Sequence, residues 1–216
     1  MSETTGKNNS PADKIHWRVV GMLALILIIL PAGSWYYLTK GYQYRKELLN
    51  DLQQDYGMVS NYNLRTADGQ PFSFTEIKNN TAIVHFAGEE INARDATWLQ
   101  MTKLHEQFDE RNDILFISHL SGNTVSTAPR DTAQWKIITG ESTELARIAR
   151  ENYRLNFPVG QDILDNSQLI LLDSAQIRNY YDATDAAQVA RLLEHITIVM
   201  PREEEKDIIL ERDKEM

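Results

Sequence analysis

Histidine, methionine and carboxylate are the residue types left for metal or redox chemistry in this chain, because its 216 residues include no cysteine. Without a thiol there is no disulfide, no dithiol redox couple, no cysteine-ligated metal and no thiol nucleophile. The five histidines are His16, His85, His105, His119 and His195. No two of them are spaced two or four residues apart, and no His-Glu-x-x-His run occurs. The spacing therefore predicts no helical zinc site.

Two histidines and two glutamates stand where a site could form. His85 and His119 lie in two apolar runs that read as neighbouring buried strands. We expect buried, hydrogen-bonded rings, with a metal-binding histidine pair as the alternative. Glu89 and Glu90 follow the first of these strands, where open α/β sheets place their ligands. They could act as acid and base, although solvated surface carboxylates are the commoner reading.

No short motif adds a catalytic centre to these candidates. The sequence has no Gly-x-Ser-x-Gly elbow, no Walker loop and no dinucleotide-binding glycine run. We therefore predict no catalytic, cofactor-binding or metal-ligating residue and no cofactor. A membrane-tethered peroxiredoxin-like reductase would need a cysteine that the chain lacks.

An uncharged stretch near the N-terminus predicts a membrane anchor over residues 17–40. Val19 to Leu38 contain no charged residue, and a helix of this length spans about 30 Å, the thickness of a bilayer core. Trp17 and the run Trp35-Tyr36-Tyr37 supply aromatic residues at both ends. A cleaved signal peptide ending near Ala32-Gly33-Ser34 is the alternative. A short tail before one anchor favours an extracytoplasmic position for the larger domain.

The rest of the chain divides by composition. Residues 1–16 are polar and read as a disordered tail, 41–56 as a helical stalk, 57–200 as the globular domain, and 201–216 as a charged tail. From residue 41 onward there are 18 basic and 29 acidic side chains, a net charge near −11. Such an acidic body argues against nucleic acid as a partner.

The hydrophobic pattern of residues 57–200 predicts an α/β, thioredoxin-like fold with a central mixed sheet, flanking helices and an N-terminal hairpin. Two buried strands separated by a long helix require a parallel crossover. The predicted strands and helices are a hairpin of Met58–Leu64 and Pro71–Phe74 around Asp68-Gly69, strands Thr81–Ala87 and Asp113–Leu120, helices Asn92–Arg111, Ser142–Asn152 (N-cap Ser142) and Thr184–Met200, and a hairpin of Gln168–Leu172 with Gln176–Tyr181.

Several segments between about Gly57 and Met200 resemble the SCO/SenC family and occur in the same order. They are Asp68-Gly69 followed by Pro71-Phe72-Ser73-Phe74, then Ile83-Val84-His85-Phe86, Ile114–Ser118, Trp135-Lys136-Ile137-Ile138-Thr139-Gly140, Asp165-Asn166-Ser167 with Leu169–Asp173, and Tyr180-Tyr181-Asp182. The resemblance implies a membrane-anchored thioredoxin-fold protein of the kind that carries copper for cytochrome c oxidase assembly.

The copper ligands of that family are absent. Its Cys-x-x-x-Cys segment corresponds here to Ala87–Asp95, and its Asp-His-Ser run corresponds to Asp165-Asn166-Ser167. Carboxylates and amides are poor substitutes for the soft ligands that Cu(I) prefers. The resemblance thus implies a divergent, non-catalytic member: an accessory or assembly factor, or a bound subunit, of a respiratory cytochrome oxidase. The alternative is a cell-envelope interaction module unrelated to respiration.

Overall fold

The computed structural model describes residues 17–88, 96–121, 133–156 and 165–200, and the chain divides into two compact units between Leu49 and Asn50. The first unit is built on helix α1 (Trp17–Leu52), which continues through Pro31. Most side chains from Val20 to Leu38 are exposed. Within the described residues, α1 is the one helix long and apolar enough to cross a membrane. The tails predicted at 1–16 and 201–216 lie outside the described residues.

The second unit contains a mixed sheet whose strand order, within the described residues, is β1-β4-β3-β2-β5-β6. Strands β2, β3 and β4 are parallel to one another, β5 is antiparallel to both of its neighbours β2 and β6, and β1 is antiparallel to β4. This is the predicted thioredoxin-like fold. Its elements are β1 (Arg65–Thr66), α2 (Phe74–Asn79), β2 (Thr81–Ala87), α3 (Ala96–Gln107), β3 (Ile114–Ser121), β4 (Trp135–Gly140), α4 (Ser142–Glu151), β5 (Asp165–Asp173), β6 (Gln176–Asp182) and α5 (Ala186–Val199).

Helices cover both faces of the sheet, which explains why β2 and β3 are apolar on both sides. On one face, α2 and α4 pack against residues such as Val84 and Ile117. On the other face, α3 and α5 pack against residues such as Ile83 and Phe116. All eight residues of β3 are buried. The sheet therefore separates two apolar layers.

Several sequence predictions are confirmed by this arrangement. The predicted strand Thr81–Ala87 is β2, and it pairs in parallel with β3 as the crossover required. The predicted second hairpin is formed by β5 and β6. Ser174 and Ala175 in its turn have φ of 52° and 68°, the left-handed conformation that a tight two-residue hairpin loop requires.

Two predictions about local structure are wrong. The first hairpin is shorter than predicted, because its pairing is confined to a bridge between Arg65 and Pro71 around a turn closed by Thr66 N and Gln70 O at 2.9 Å. Phe74, predicted to be extended, begins α2. The second error is an omission: Trp135–Gly140 forms strand β4, whereas this segment was interpreted from the sequence only as a motif.

The N-terminal caps of α4 and α5 both differ from the sequence prediction. The N-cap of α4 is Glu141, without a side-chain cap hydrogen bond, so Ser142 is the first helical residue. Helix α5 begins later than predicted, at Ala186, because Asp185 accepts a hydrogen bond from the amide of Ala187 at 2.8 Å. A carboxylate that satisfies a free first-turn amide defines the start of a helix.

Candidate functional site

The first residue of the Ala87–Asp95 segment lies beside the Asp165-Asn166-Ser167 run where β2 ends and β5 begins. Strand β2 ends at Ala87, and the Cα partner of Ala87 across the sheet is Asp165, the first residue of β5. Asn166 follows directly on the same strand. Glu89 and Glu90 lie outside the described residues, so their acid–base role stays a prediction. The register thus brings the end of β2 and the start of β5 together.

His85 and His119 lie on opposite faces of the sheet. In the parallel pairing of β2 with β3, His85 is opposite Ser118 and Phe86 is opposite His119. Side chains alternate between faces along a strand, so neighbouring register positions point in opposite directions. The alternative of a histidine pair that binds one metal ion is therefore wrong. Within the described part of the chain, no group of three or more His, Asp or Glu side chains could hold a metal ion.

His119 is the centre of a buried polar network. Its Nε2 lies 2.8 Å from the hydroxyl of Tyr62, and that hydroxyl lies 2.7 Å from the hydroxyl of Tyr153. The ring of Phe86 stacks on the imidazole with centroids 4.3 Å apart and an interplanar angle of 9°. All of these side chains are buried. These hydrogen bonds offset part of the cost of burying the three polar groups, whereas Nδ1 of His119 has no hydrogen-bond partner within the described residues.

Every member of this network is uncharged at neutral pH. Burial lowers the pKa of His119 from its ordinary 6.5 to about 3. Burial also raises the pKa values of Tyr62 and Tyr153 above their ordinary 10. An acid–base catalyst works best with a pKa near the operating pH, and none of these groups meets that condition. The network therefore joins the segment around Tyr62 to β3 and to Tyr153 through groups that are uncharged at neutral pH.

The motif Trp135–Gly140 has a structural role on the other face and at the sheet edge. Trp135 donates a hydrogen bond from Nε1 to Ser118 Oγ at 3.0 Å, which joins β4 to β3. At Gly140, a Cβ atom would lie 3.2 Å from the side chain of Leu145 and 3.3 Å from that of Leu64. A side chain there would press on the first turn of α4. These contacts explain the motif without reference to copper.

The motifs Asp165-Asn166-Ser167 and Tyr180-Tyr181-Asp182 lie together where β5 begins and β6 ends. Ser167 Oγ donates a hydrogen bond to Asp182 at 2.7 Å, and Thr184 donates to the same carboxylate through its amide and its hydroxyl at 2.8 and 2.6 Å. These hydrogen bonds lower the pKa of Asp182, and the one from the Thr184 hydroxyl has the largest effect. The amide of Ala183 adds a hydrogen bond to the Ser167 carbonyl at 2.7 Å. The side chains fix the start of β5 and the end of β6 next to Asn166.

Sequence reasoning missed Tyr62 and Tyr153. Tyr62 lies in the irregular segment before β1, and Tyr153 lies just after α4. They are 91 residues apart in the sequence, and the fold brings their hydroxyls together. The only sequence signal is that both are aromatic residues with a polar group, which are often hydrogen-bonded when buried. That signal does not identify the partner.

Comparison with known proteins identifies the fold. No protein-family model and no curated protein matches this sequence. A SCO1/SenC family lipoprotein from Bacillus anthracis matches with a TM-score of 0.55 at 15% identity, over 68% of this chain and 98% of that one. BsSco, a member of the Sco family of cytochrome c oxidase assembly proteins, matches with a TM-score of 0.52 at 16% identity, over 67% and 96%. At such identities the likeness establishes a SCO/SenC-like fold.

Proposed function

We propose that this chain is a membrane-anchored, non-catalytic SCO-like protein that acts as an accessory or assembly factor, or as a bound subunit, of a respiratory cytochrome oxidase. The observation that carries the proposal is a SCO/SenC-like fold in a chain without cysteine. Cu(I) transfer and disulfide exchange on such a scaffold depend on thiolates. What the scaffold retains is a folded surface for protein contacts.

The kind of partner is suggested by the relatives. BsSco is described as belonging to a family of cytochrome c oxidase assembly proteins, so an oxidase is the first partner to test. In this proposal, residues 17–40 form the anchor and 41–56 the stalk. Residues 57–200 form the docking domain on the extracytoplasmic side. The length and apolar character of α1 support the anchor.

Affinity purification from native membranes tests the partner. The tagged full chain, solubilised in mild detergent, is expected to bring down subunits of a respiratory oxidase. A tagged variant that ends at Tyr56 keeps the anchor and stalk but lacks the domain, and it should lose those subunits. Recovery of envelope proteins without any oxidase subunit would favour the cell-envelope module and contradict the proposal.

Metal titration tests the chemistry separately. The full chain should not compete with a Cu(I) chelator for the metal, because its sequence offers no thiolate. A stoichiometric Cu(I) site that survives the competition would overturn the statement that the protein has no copper chemistry. Because this result does not depend on the partner, the two parts of the proposal can fail independently.

A further inference from the structure

Another buried histidine lies on α5 and faces residues 50–52, at the end of α1. His195 on α5 is fully buried, and its Nδ1 lies 2.5 Å from the hydroxyl of Tyr181 on β6. Its Nε2 has no hydrogen-bond partner within the described residues. Oδ2 of Asp51 lies 3.9 Å from this nitrogen. The imidazole thus has one satisfied nitrogen and one nitrogen directed near a carboxylate.

That carboxylate is already engaged by an arginine. Arg191 donates to Asp51 Oδ2 from Nε at 3.0 Å and from Nη2 at 2.7 Å, across 140 positions of sequence. The Asp51 side chain is 42% exposed and that of Arg191 27% exposed, whereas His195 is covered. The ion pair therefore forms the outer side of a contact whose inner side is the imidazole. Together they join residues 50–52, at the start of the second unit, to α5.

We propose that Asp51, Arg191 and His195 form an acid-sensitive clasp, which holds residues 50–52 on α5 while His195 is neutral and opens when the imidazole takes up a proton. A cation at His195 would lose its hydration and face the guanidinium of Arg191. Asp51 cannot offset both effects, because its carboxylate is 3.9 Å away and already paired. In the open form water reaches the ring, so protonation is easier there. The clasp is independent of the proposed oxidase partner.

The electrostatic environment supports this direction. Burial and then the charge of Arg191 lower the pKa of His195, while Asp51 and Glu194 act in the opposite direction more weakly. Tyr181 on β6 completes the titratable groups that face the ring. With a pKa below its ordinary 6.5, the closed clasp binds fewer protons than the open form. Closure is therefore fully stabilised above about pH 6.5 and is lost progressively as the pH falls below that value.

An NMR titration of the full chain in detergent micelles, with ¹³C-labelled histidine, measures the pKa of His195. The variant His195→Gln lacks one histidine signal and so assigns it. We expect His195 to titrate below its ordinary range. Asp51→Asn removes an anion and should move that titration to lower pH, whereas Arg191→Gln removes a cation and should move it to higher pH. Arg147→Gln, which disrupts an exposed ion pair with Glu151 on α4, should leave it unchanged.

Amide hydrogen exchange tests the opening itself. Because intrinsic amide exchange slows as the pH falls, the quantity compared is the protection factor, which is corrected for that effect. Between about pH 7.5 and pH 5.5, the protection factors of peptides from 50–56 and 186–199 should decrease. His195→Gln should abolish this decrease. The proposal is overturned if His195 titrates at or above its ordinary value. It is also overturned if both charge variants shift the titration in the same direction, or if the protection factors of the two segments do not change with pH.

Discussion

The buried imidazole of His119 predicts a pH-dependent stability that one substitution should remove. In the folded protein the pKa of His119 is about 3, whereas an unfolded chain titrates near 6.5. Between these values the unfolded state binds a proton that the folded state does not. The free energy of unfolding therefore falls as the pH drops below about 6.5, with the loss complete near pH 3.

The magnitude follows from the two pKa values. Each pKa unit corresponds to about 1.4 kcal/mol, so the contribution of His119 to the loss between about pH 7 and pH 5 is about 2 kcal/mol. This is a large fraction of the about 5–15 kcal/mol by which a domain is stable. His119→Gln removes the titrating group and keeps a polar atom near the position of Nε2. Its unfolding free energy should lose about 2 kcal/mol less over the same pH interval.

Urea unfolding of the full chain in micelles, followed by near-ultraviolet circular dichroism at several pH values, measures this difference. Tyr62→Phe is the matched control, because it removes one hydrogen bond to His119 and leaves the imidazole buried. That variant should be less stable by about 1–2 kcal/mol at every pH, with the same pH dependence as the natural protein.

The reasoning about His119 fails if the natural protein and His119→Gln lose stability equally as the pH is lowered. It also fails if Tyr62→Phe flattens the pH dependence, because the hydrogen bond and not burial would then set the protonation state.

Three further predictions address the strand and helix ends and the copper chemistry. Gly140→Ala should destabilise the domain by about 1–3 kcal/mol in urea unfolding, because the new Cβ atom would lie 3.2 Å from the side chain of Leu145. Gly88→Ala is the control: its Cβ atom would have no other atom within 4 Å, so this substitution should cost far less stability. Asp185→Ala should lower stability by about 1 kcal/mol, while Glu141→Ala, at a cap without a side-chain hydrogen bond, should change it little in the same measurement. Growth in excess copper should leave the purified chain without stoichiometric copper by elemental analysis, and stoichiometric copper would contradict the absence of a soft-ligand site.

The sheet could be predicted from the sequence wherever local pattern and burial agree. Strand β2 is a continuous apolar run because helices cover both of its faces, and its predicted bounds match the structure. Strand β4 was not predicted, because it has only six residues and Lys136 interrupts its apolar pattern. Its outer neighbour β1 has two residues, so β4 lies near the edge of the sheet and is only partly covered. A short, half-covered strand next to a turn leaves little periodic signal.

The arrangement around His119 depends on information that local sequence does not contain. A register shift of one residue between β2 and β3 would reverse the face that a side chain occupies. The sequence predicts that His85 and His119 lie in adjacent strands, but their opposite faces follow from the register. Likewise, the contact of His119 with Tyr62 spans 57 residues and is formed by the packing of the whole domain.

The proposed role without copper is tested most directly by terminal-oxidase activity in membranes from cells that lack this chain. We predict that oxidase activity falls, that added copper does not restore it, and that the full chain without any engineered cysteine does. Unchanged activity would contradict a role in the oxidase. Recovery with copper alone would contradict a role that involves no copper.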